Sequence, residues 1–280
     1  MSSESDYESL SRPSGLRSAA ALCHREIVRF ARQRNRVIGA LGQPVLFWLL
    51  FGAGLHGAFR IDEDGPTFWE YYFPGTIVLI LLFTAIFATI SIIEDRREGF
   101  LQSVLVAPSP RWSMVLGKVL GGTILAVGQA LLFLGVGWAV GLRPPLANVA
   151  WLVLMLFITA FGLTSFGFVL AWRMQSTQGF HAIMNLLLMP LWLLSGAFFP
   201  IPAVDRSSAV GQHVMHWVMR CNPLTYSVST TRQLLAPDFA YNTVWTPSTT
   251  IGWLATAGFA AAAFTIAWRI AGHRTTGDLL

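Results

Sequence analysis

Six long apolar stretches alternate with shorter polar segments along this 280-residue chain. They cover residues 37–59, 73–93, 115–140, 149–172, 180–199 and 251–268. Each is close to the ~20 residues that cross a ~30 Å hydrocarbon layer. A helix is the form in which a single such segment satisfies its own backbone polar groups in lipid. The pattern predicts an all-α membrane protein with six transmembrane helices.

The polar segments carry their own patterns. In residues 16–36, Leu16, Ala20, Cys23, Ile27 and Phe30 recur at a 4-3-4-3 spacing, with Arg25, Arg29, Arg32 and Arg36 opposite. This predicts an amphipathic helix in the headgroup layer, its arginines meeting anionic lipid or a cytoplasmic partner. Residues 200–250 are too long for a simple turn. A helical stretch near 210–220 holds His213, His216, Trp217 and Met219, and Pro223 favours a helix start over 224–235. Two short helices are expected at or dipping into the outer interface, a depth that suits Trp217, Tyr226 and Trp245, with 238–248 as surface loop. Residues 1–15 form a polar tail without the basic-then-apolar order of a signal peptide. The layout is therefore tail 1–15, interfacial helix 16–36, six-span domain 37–271 with loops 94–114 and 200–250, and tail 272–280.

Composition agrees with a bilayer. The chain is 54% hydrophobic and 12% charged, with a mean hydropathy of +0.56, against about 25% charged for soluble domains. Assigning loops alternately, fourteen Lys and Arg fall on one side and five on the other, which puts both termini in the cytoplasm. The net charge of +5 then reports topology, not nucleic-acid binding. Cys23 and Cys221 fall on opposite sides and suggest no disulfide or metal framework.

Candidate chemistry is sparse. No charge is expected mid-span; Lys118, Arg173 and Arg269 sit at predicted ends, where they can snorkel. Ion relays usually need buried acids, His or Lys, and His56 and His181 read as interfacial or packed. The P-loop pattern is absent, since Gly117-Lys118 is followed by Val119, and neither H-E-x-x-H nor G-x-S-x-G occurs. Ser195-Gly196 reads as a small packing site, as do Gly121, Gly122 and Gly128 in the third span and Ala257, Gly258 and Ala261 in the sixth. A pump built this way takes its energy from a partner.

Residues 94–118 interrupt the apolar pattern most sharply. Glu94-Asp95-Arg96-Arg97-Glu98 ends the second span, and Gly99 permits a sharp turn. Phe100, Leu101, Val104 and Leu105 then form one apolar face. Pro108 and Pro110 stop the helix, and Arg111 and Lys118 flank the next span. Spacing alone fits a re-entry loop resting on lipid as well as a handle for a partner.

This string resembles the cytoplasmic loop of type-2 ATP-binding-cassette (ABC) exporter permeases. Gly196-Ala197-Phe198-Phe199-Pro200 is similar to that family's exit from the fifth span. Asn222-Pro223-Leu224-Thr225-Tyr226, followed by Arg232, is similar to its box before the last span. The resemblance implies a permease subunit in a bacterial inner (plasma) membrane, exporting a drug, lipid or lipid-linked glycan. ATP and Mg would be bound by a separate ABC ATPase, with no cofactor on this chain. Two copies, or this chain and a related permease, would pair through spans one and five amid membrane lipid, with no nucleic acid. Glu98, Gly99, Phe100, Leu101, Leu105, Pro108 and Arg111 would couple to the ATPase: Phe100, Leu101 and Leu105 as apolar anchors, Glu98 and Arg111 as polar rim. Phe100 replaces the family's usual Thr, and Gln102 its frequent Glu. Gln43, Asn185, Trp192, Phe198 and Phe199 are candidate pathway residues, with packing as their alternative. A membrane enzyme acting on lipid and a non-transport scaffold are the competing readings.

Overall fold

The computed structural model describes residues 14–55, 66–107, 109–204, 208–237 and 244–272. Pro108, His56, most of the 1–15 tail, residues 273–280 and part of the 238–248 loop lie outside them. The described chain is helical: α1 (Gly15–Arg32), α2 (Arg34–Leu55), α3 (Phe68–Arg97), α4 (Phe100–Val106), α5 (Arg111–Ala139), α6 (Leu146–Trp172), α7 (Thr177–Trp192), α8 (Val210–Cys221), α9 (Pro223–Leu235) and α10 (Thr249–Gly272). Six helices are long and apolar enough to cross a membrane: α2, α3, α5, α6, α7 with its terminal turn, and α10.

The bundle is organised around α3. Its residues from Tyr71 to Ile86 are buried on every side, as expected of a helix that is apolar all round. α2, α5, α6, α7 and α9 all pack on it. Packing is set by small residues. A Cβ on Gly137 of α5 would stand 2.1 Å from the Phe73 ring, and one on Gly122 would stand 2.7 Å from Thr164 of α6. The rings of Trp48, Phe73 and Phe133 join α2, α3 and α5 at centroid distances of 4.9–5.7 Å. Two expected packing sites differ. Gly128 has open space around its Cβ position, as does Gly258, and Ala257 and Ala261 are exposed. The buried stripe of α10 is Gly252, Thr256, Ala260, Ala263, Ala267 and Ala271 instead. α10 is small on two faces, and spacing does not say which one meets the bundle.

Arginine caps gather one end of the bundle. Arg111 donates to the carbonyls of Ala271 (2.9 Å) and Gly272 (3.2 Å) at the end of α10. Arg96 donates to the carbonyls of Trp172 and Met174 after α6, and Arg97 to that of Gln175. Cations on exposed C-terminal carbonyls satisfy groups a helix leaves unpaired. The described chain begins and finishes at this end.

At the opposite end, α7 closes in a wide turn over Leu193–Ala197, where Gly196 takes φ +77°. That conformation favours glycine. The Gly196 carbonyl accepts from the Tyr71 hydroxyl (2.9 Å) and from Arg232 of α9 (2.8 Å), and the Arg232 guanidinium lies 4.0 Å over the Tyr71 ring. α9 is therefore packed into the bundle against α6 and α10. Small hydroxyl residues on most of its faces, such as Ser227 bonded to Thr256 of α10, let it enter. α8 stays peripheral, with Val210, Val214 and Trp217 exposed.

Gly75 is the tightest junction between α3 and α7. A Cβ there would stand 2.8 Å from the Ala197 carbonyl oxygen, and its own carbonyl accepts from Trp192 Nε1 at 2.8 Å. Gly75→Ala should cost ~1–3 kcal/mol through overpacking against backbone, read as a lower thermal midpoint in detergent. Gly128→Ala, with no neighbour to meet, should leave that midpoint unchanged or slightly higher.

Candidate functional site

The 94–118 segment folds as the end of α3, a left-handed turn at Gly99, α4 and the entry to α5. Gly99 has φ +76° and nothing near its Cβ position, so glycine is there for backbone conformation. A seven-residue helix is too short to hold itself, and α4 is held by packing. Leu101 is 1% exposed and belongs to the core, with Val104 and Leu105 packed beside it. This corrects the reading of Leu101 and Leu105 as anchors for a partner: their stripe faces the protein. The outward face carries Gln102, Ser103 and Val106, the last 82% exposed. Arg111, expected on a polar rim, is turned instead to the end of α10. Glu98 caps α3 and keeps a largely exposed carboxylate that accepts from Arg29 at 3.4 Å.

Beside α4 lies a charge cluster that span assignment alone did not expose. α1 ends at Arg32, and Gln33 (φ −91°, ψ 73°) separates it from α2; residues 16–36 are thus two helices, not one. α1 packs against α5, its Ala19, Leu22 and Glu26 seated on Gly117 and Gly121. The arginines expected to meet anionic lipid or a cytoplasmic partner face acids of α3. Arg25 makes a bidentate pair with Asp95 at 3.1 and 2.9 Å. Arg29 reaches Asp95, Glu94 (2.9 Å) and Glu98. Arg36 reaches Glu94. Only Arg32 of the four is exposed. Lys118 corrects a second expectation. It does not snorkel from a helix end; it is buried and donates to Glu26 (2.8 Å) and Asp95.

Four cations (Arg25, Arg29, Arg36, Lys118) meet four anions (Glu26, Glu94, Asp95, Glu98). Burial disfavours the charge on Arg25, but its bonds to Asp95 and the nearby carboxylates outweigh this and hold its pKa above the ordinary value. Burial, reinforced by Glu26, likewise pushes the Cys23 thiol up, which disfavours the reactive thiolate. Every acid in the cluster is already bonded to a cation. It therefore serves as a brace, with Glu98 at its exposed edge. No group of metal-ligating side chains occurs among the described residues.

Of the candidate pathway residues, Phe198 touches Phe199 at 4.8 Å between ring centroids and shares Tyr72 with Trp192, whereas Gln43 and Asn185 do not join them in one chain. Trp192 is buried and bonded to Gly75. Phe198 packs in a ring cluster with Phe51, Phe68 and Tyr72 at 5.1–5.7 Å. Gln43 and Asn185 lie exposed on α2 and α7, and Phe199 is half exposed. Instead, a groove of about 570 Å³ opens between α7 and the α8–α9 corner, lined by Leu187, Pro190, Leu194, Trp217, Cys221 and Pro223 among others. Asn222 and Pro223 shape that corner. The Asn222 side chain caps α9 by accepting from Leu224 N (3.0 Å) and donates to the Leu191 carbonyl, Pro223 starts α9, and Tyr226 donates to the Arg220 carbonyl at 2.9 Å. Pro200 follows the Gly196 turn, where Ile201 packs on Gly196.

Asp95 is fully buried, so removing its charge strands cations in a poorly solvated site. Asp95→Asn should destabilise the protein by ~3–5 kcal/mol. Glu98→Gln, at a carboxylate 60% exposed, should cost under ~1 kcal/mol. Thermal unfolding of the two variants in the same detergent checks the contrast.

The sequence profile of the ABC-2 type transporter family matches residues 17–236. The protein named as transport permease ycf38 of Cyanophora paradoxa is 27% identical over 219 residues, covering 76% of this chain and 72% of its own. The Escherichia coli protein named as multidrug ABC transporter permease YbhR is 27% identical over 174 residues, 61% of this chain and 45% of its own. The Mycobacterium tuberculosis protein named as doxorubicin resistance ABC transporter permease DrrC is 29% identical over 125 residues, 43% of each chain. The match thus spans under half of the E. coli and M. tuberculosis relatives. The family profile extends from α1 through the charge cluster, α4 and the Asn222-Pro223 corner to the end of α9, and on that coverage the chain belongs to the ABC-2 type transporter family.

Proposed function

We propose that this chain is the permease subunit of an ABC exporter. It carries a hydrophobic or amphiphilic compound (a drug, lipid or lipid-linked glycan) outward, driven by ATP hydrolysed on a separate subunit. The observation that carries this reading is α4. A short helix is fixed to the end of the bundle by Leu101 and turned so that Gln102, Ser103 and Val106 face away from the protein. With no P-loop in the sequence, such a seat is where an outside motor would act. ATP and Mg belong to that motor, and this chain needs no cofactor for its part.

The α1–α4 end faces the cytoplasm in this reading, supported by the excess of Lys and Arg in its loops, and the membrane is the bacterial inner membrane. Two copies pair through α2 and α7. This is supported by their exposed apolar faces, with Leu46, Leu49 and Leu50 on α2 and Ile183, Leu186 and Leu187 on α7. Pairing would bring Gln43 and Asn185 from the surface to the seam between copies. The apolar character of the α7–α9 groove, whose lining offers few polar atoms, supports a hydrophobic cargo over an ion. The names of the E. coli and M. tuberculosis relatives speak of multidrug transport and doxorubicin resistance, which makes doxorubicin a reasonable first probe.

Co-expression with an ABC ATPase from a neighbouring reading frame should give a complex that takes up doxorubicin into inside-out vesicles only with ATP. Val106→Asp, which puts a charge on the outward face of α4, should cut ATPase pull-down at least ~tenfold, equivalent to ~1.4 kcal/mol, without lowering the melting temperature. If the Val106→Asp complex assembles and hydrolyses ATP normally, α4 is not the seat. If the purified chain alone turns over lipid without ATP, the enzyme reading replaces the exporter.

A further inference from the structure

Phe100 breaks the apolar logic of α4. It starts the helix beside Leu101, yet it is only half buried, and its ring is covered by the guanidinium of Arg25 at 3.6 Å from the centroid. The same guanidinium holds Asp95 through both nitrogens and contacts Glu26 at 3.1 Å. One side chain of α1 therefore touches the last turn of α3 and the first turn of α4 together.

The covalent links to α4 are weak in comparison. Gly99 joins it to α3 in a left-handed turn with no side chain, and no atom lies within 4 Å of its Cβ position, so nothing packs against the pivot. Leu101, Val104 and Leu105 hold one face of the helix, and two turns held along one face leave rotation about that line of contact unopposed at the Gly99 end. A stacked contact at Phe100 blocks that rotation. Arginine suits this because its planar fork can pair with a carboxylate and stack on a ring at once, which a lysine ammonium cannot do. From Arg25, the route continues along α1 to Glu26, which is bonded to Lys118 of α5, and to the seat of α1 on Gly117 and Gly121.

We propose that Arg25 is a positioning residue that clamps α4 through Phe100, and that α1 is thereby a strut carrying displacement of α4 into α5. The part played in transport rests on the permease reading above; the clamp itself does not. Phe100 then acts inside the chain, and Gln102, on the outward face, is the neighbouring position left to meet a partner.

The clamp is tested on the full chain in lipid nanodiscs, with Cys23 and Cys221 changed to serine and a nitroxide on Val106→Cys. A second label on Leu146→Cys, at the far end of the bundle, serves as control. The parent should give a restricted spectrum at 106. Phe100→Thr, which leaves every ion pair in place, should lose the restricted component there and leave the label at 146 unchanged. Phe100→Trp should retain it. Arg25→Lys should lose it despite keeping its charge, and the Arg25→Lys/Phe100→Thr double variant should be no looser than either single. A restricted label in Phe100→Thr, or in Arg25→Lys, overturns the clamp. Loosening at 106 and 146 alike in Phe100→Thr overturns it too, because the effect is then global. In the complex with the ATPase, the label is moved to Ile124→Cys on α5, where the side chain is exposed and the seat stays unmodified. There Phe100→Thr should retain ATP hydrolysis and lose the ATP-driven spectral change at 124; retention of that change overturns the strut. Absence of any ATP response in the parent complex counts against the permease reading and leaves the clamp result standing.

Discussion

The structure depends most on the neutralisation of Asp95. This carboxylate ends the most buried helix of the bundle and has no exposure to solvent. A carboxylate stripped of water is costly unless cations and hydrogen-bond donors replace the water. Arg25, Arg29 and Lys118 supply them, and they come from α1 and α5. The requirement of one acid therefore fixes the position of an N-terminal helix and its register on the third span. Glu26 completes the arrangement by sharing Lys118 and Arg25 with Asp95. Without it, the lysine would bring more positive charge than one carboxylate balances.

α3 is tied at its other end by a different device. There the acceptors are backbone carbonyls, and Arg232 serves those of Tyr71 and Gly196 while covering the Tyr71 ring. Gly196 offers its carbonyl because the chain turns there at positive φ, opening the helix and freeing an acceptor. The two ends thus hold the same helix by charge pairing and by carbonyl capping. A charge cluster can exchange partners as helices shift, whereas a turn locked by glycine geometry and close backbone contact at Gly75 has fewer arrangements. The asymmetry places adaptability at the α4 end and rigidity at the α9 end.

The six spans were legible because run length alone decides them. The environment of α1 was not, because an arginine-rich amphipathic helix has two solutions, anionic lipid or acidic side chains. The acids lie 58–70 residues downstream of the arginines they meet. A usable signal did exist: Glu26 is the only acid amid the α1 arginines, and Glu94, Asp95 and Glu98 offer a matching set. The apolar stripe of α4 was legible, and its direction is set by the tertiary packing that a helix of two turns needs to exist. Lys118 was placed at an end because the apolar run begins near it. α5 actually starts at Arg111, two turns earlier, and that puts the lysine inside the bundle. The role of Arg232 was invisible, since only the Gly196 turn and the entry of α9 bring its acceptors within reach.

Gln43 and Asn185 bear on where a pathway forms. Both are polar, and both sit exposed on helices otherwise lined with leucine. Against hydrocarbon, an unpaired amide is unfavourable by several kcal/mol (~4–8 on a scale without partners). The same side chains facing a second copy, or a polar lumen between copies, lose that penalty. The faces that carry them belong to α2 and α7, which contribute less buried surface to the single chain than α3, α5 or α6. A polar residue on an under-packed membrane helix argues for protein or water on that side. On this argument the seam between two copies, more than any cavity within one, is where a pathway would form. The α7–α9 groove would open beside it, close to the α9 end of the bundle.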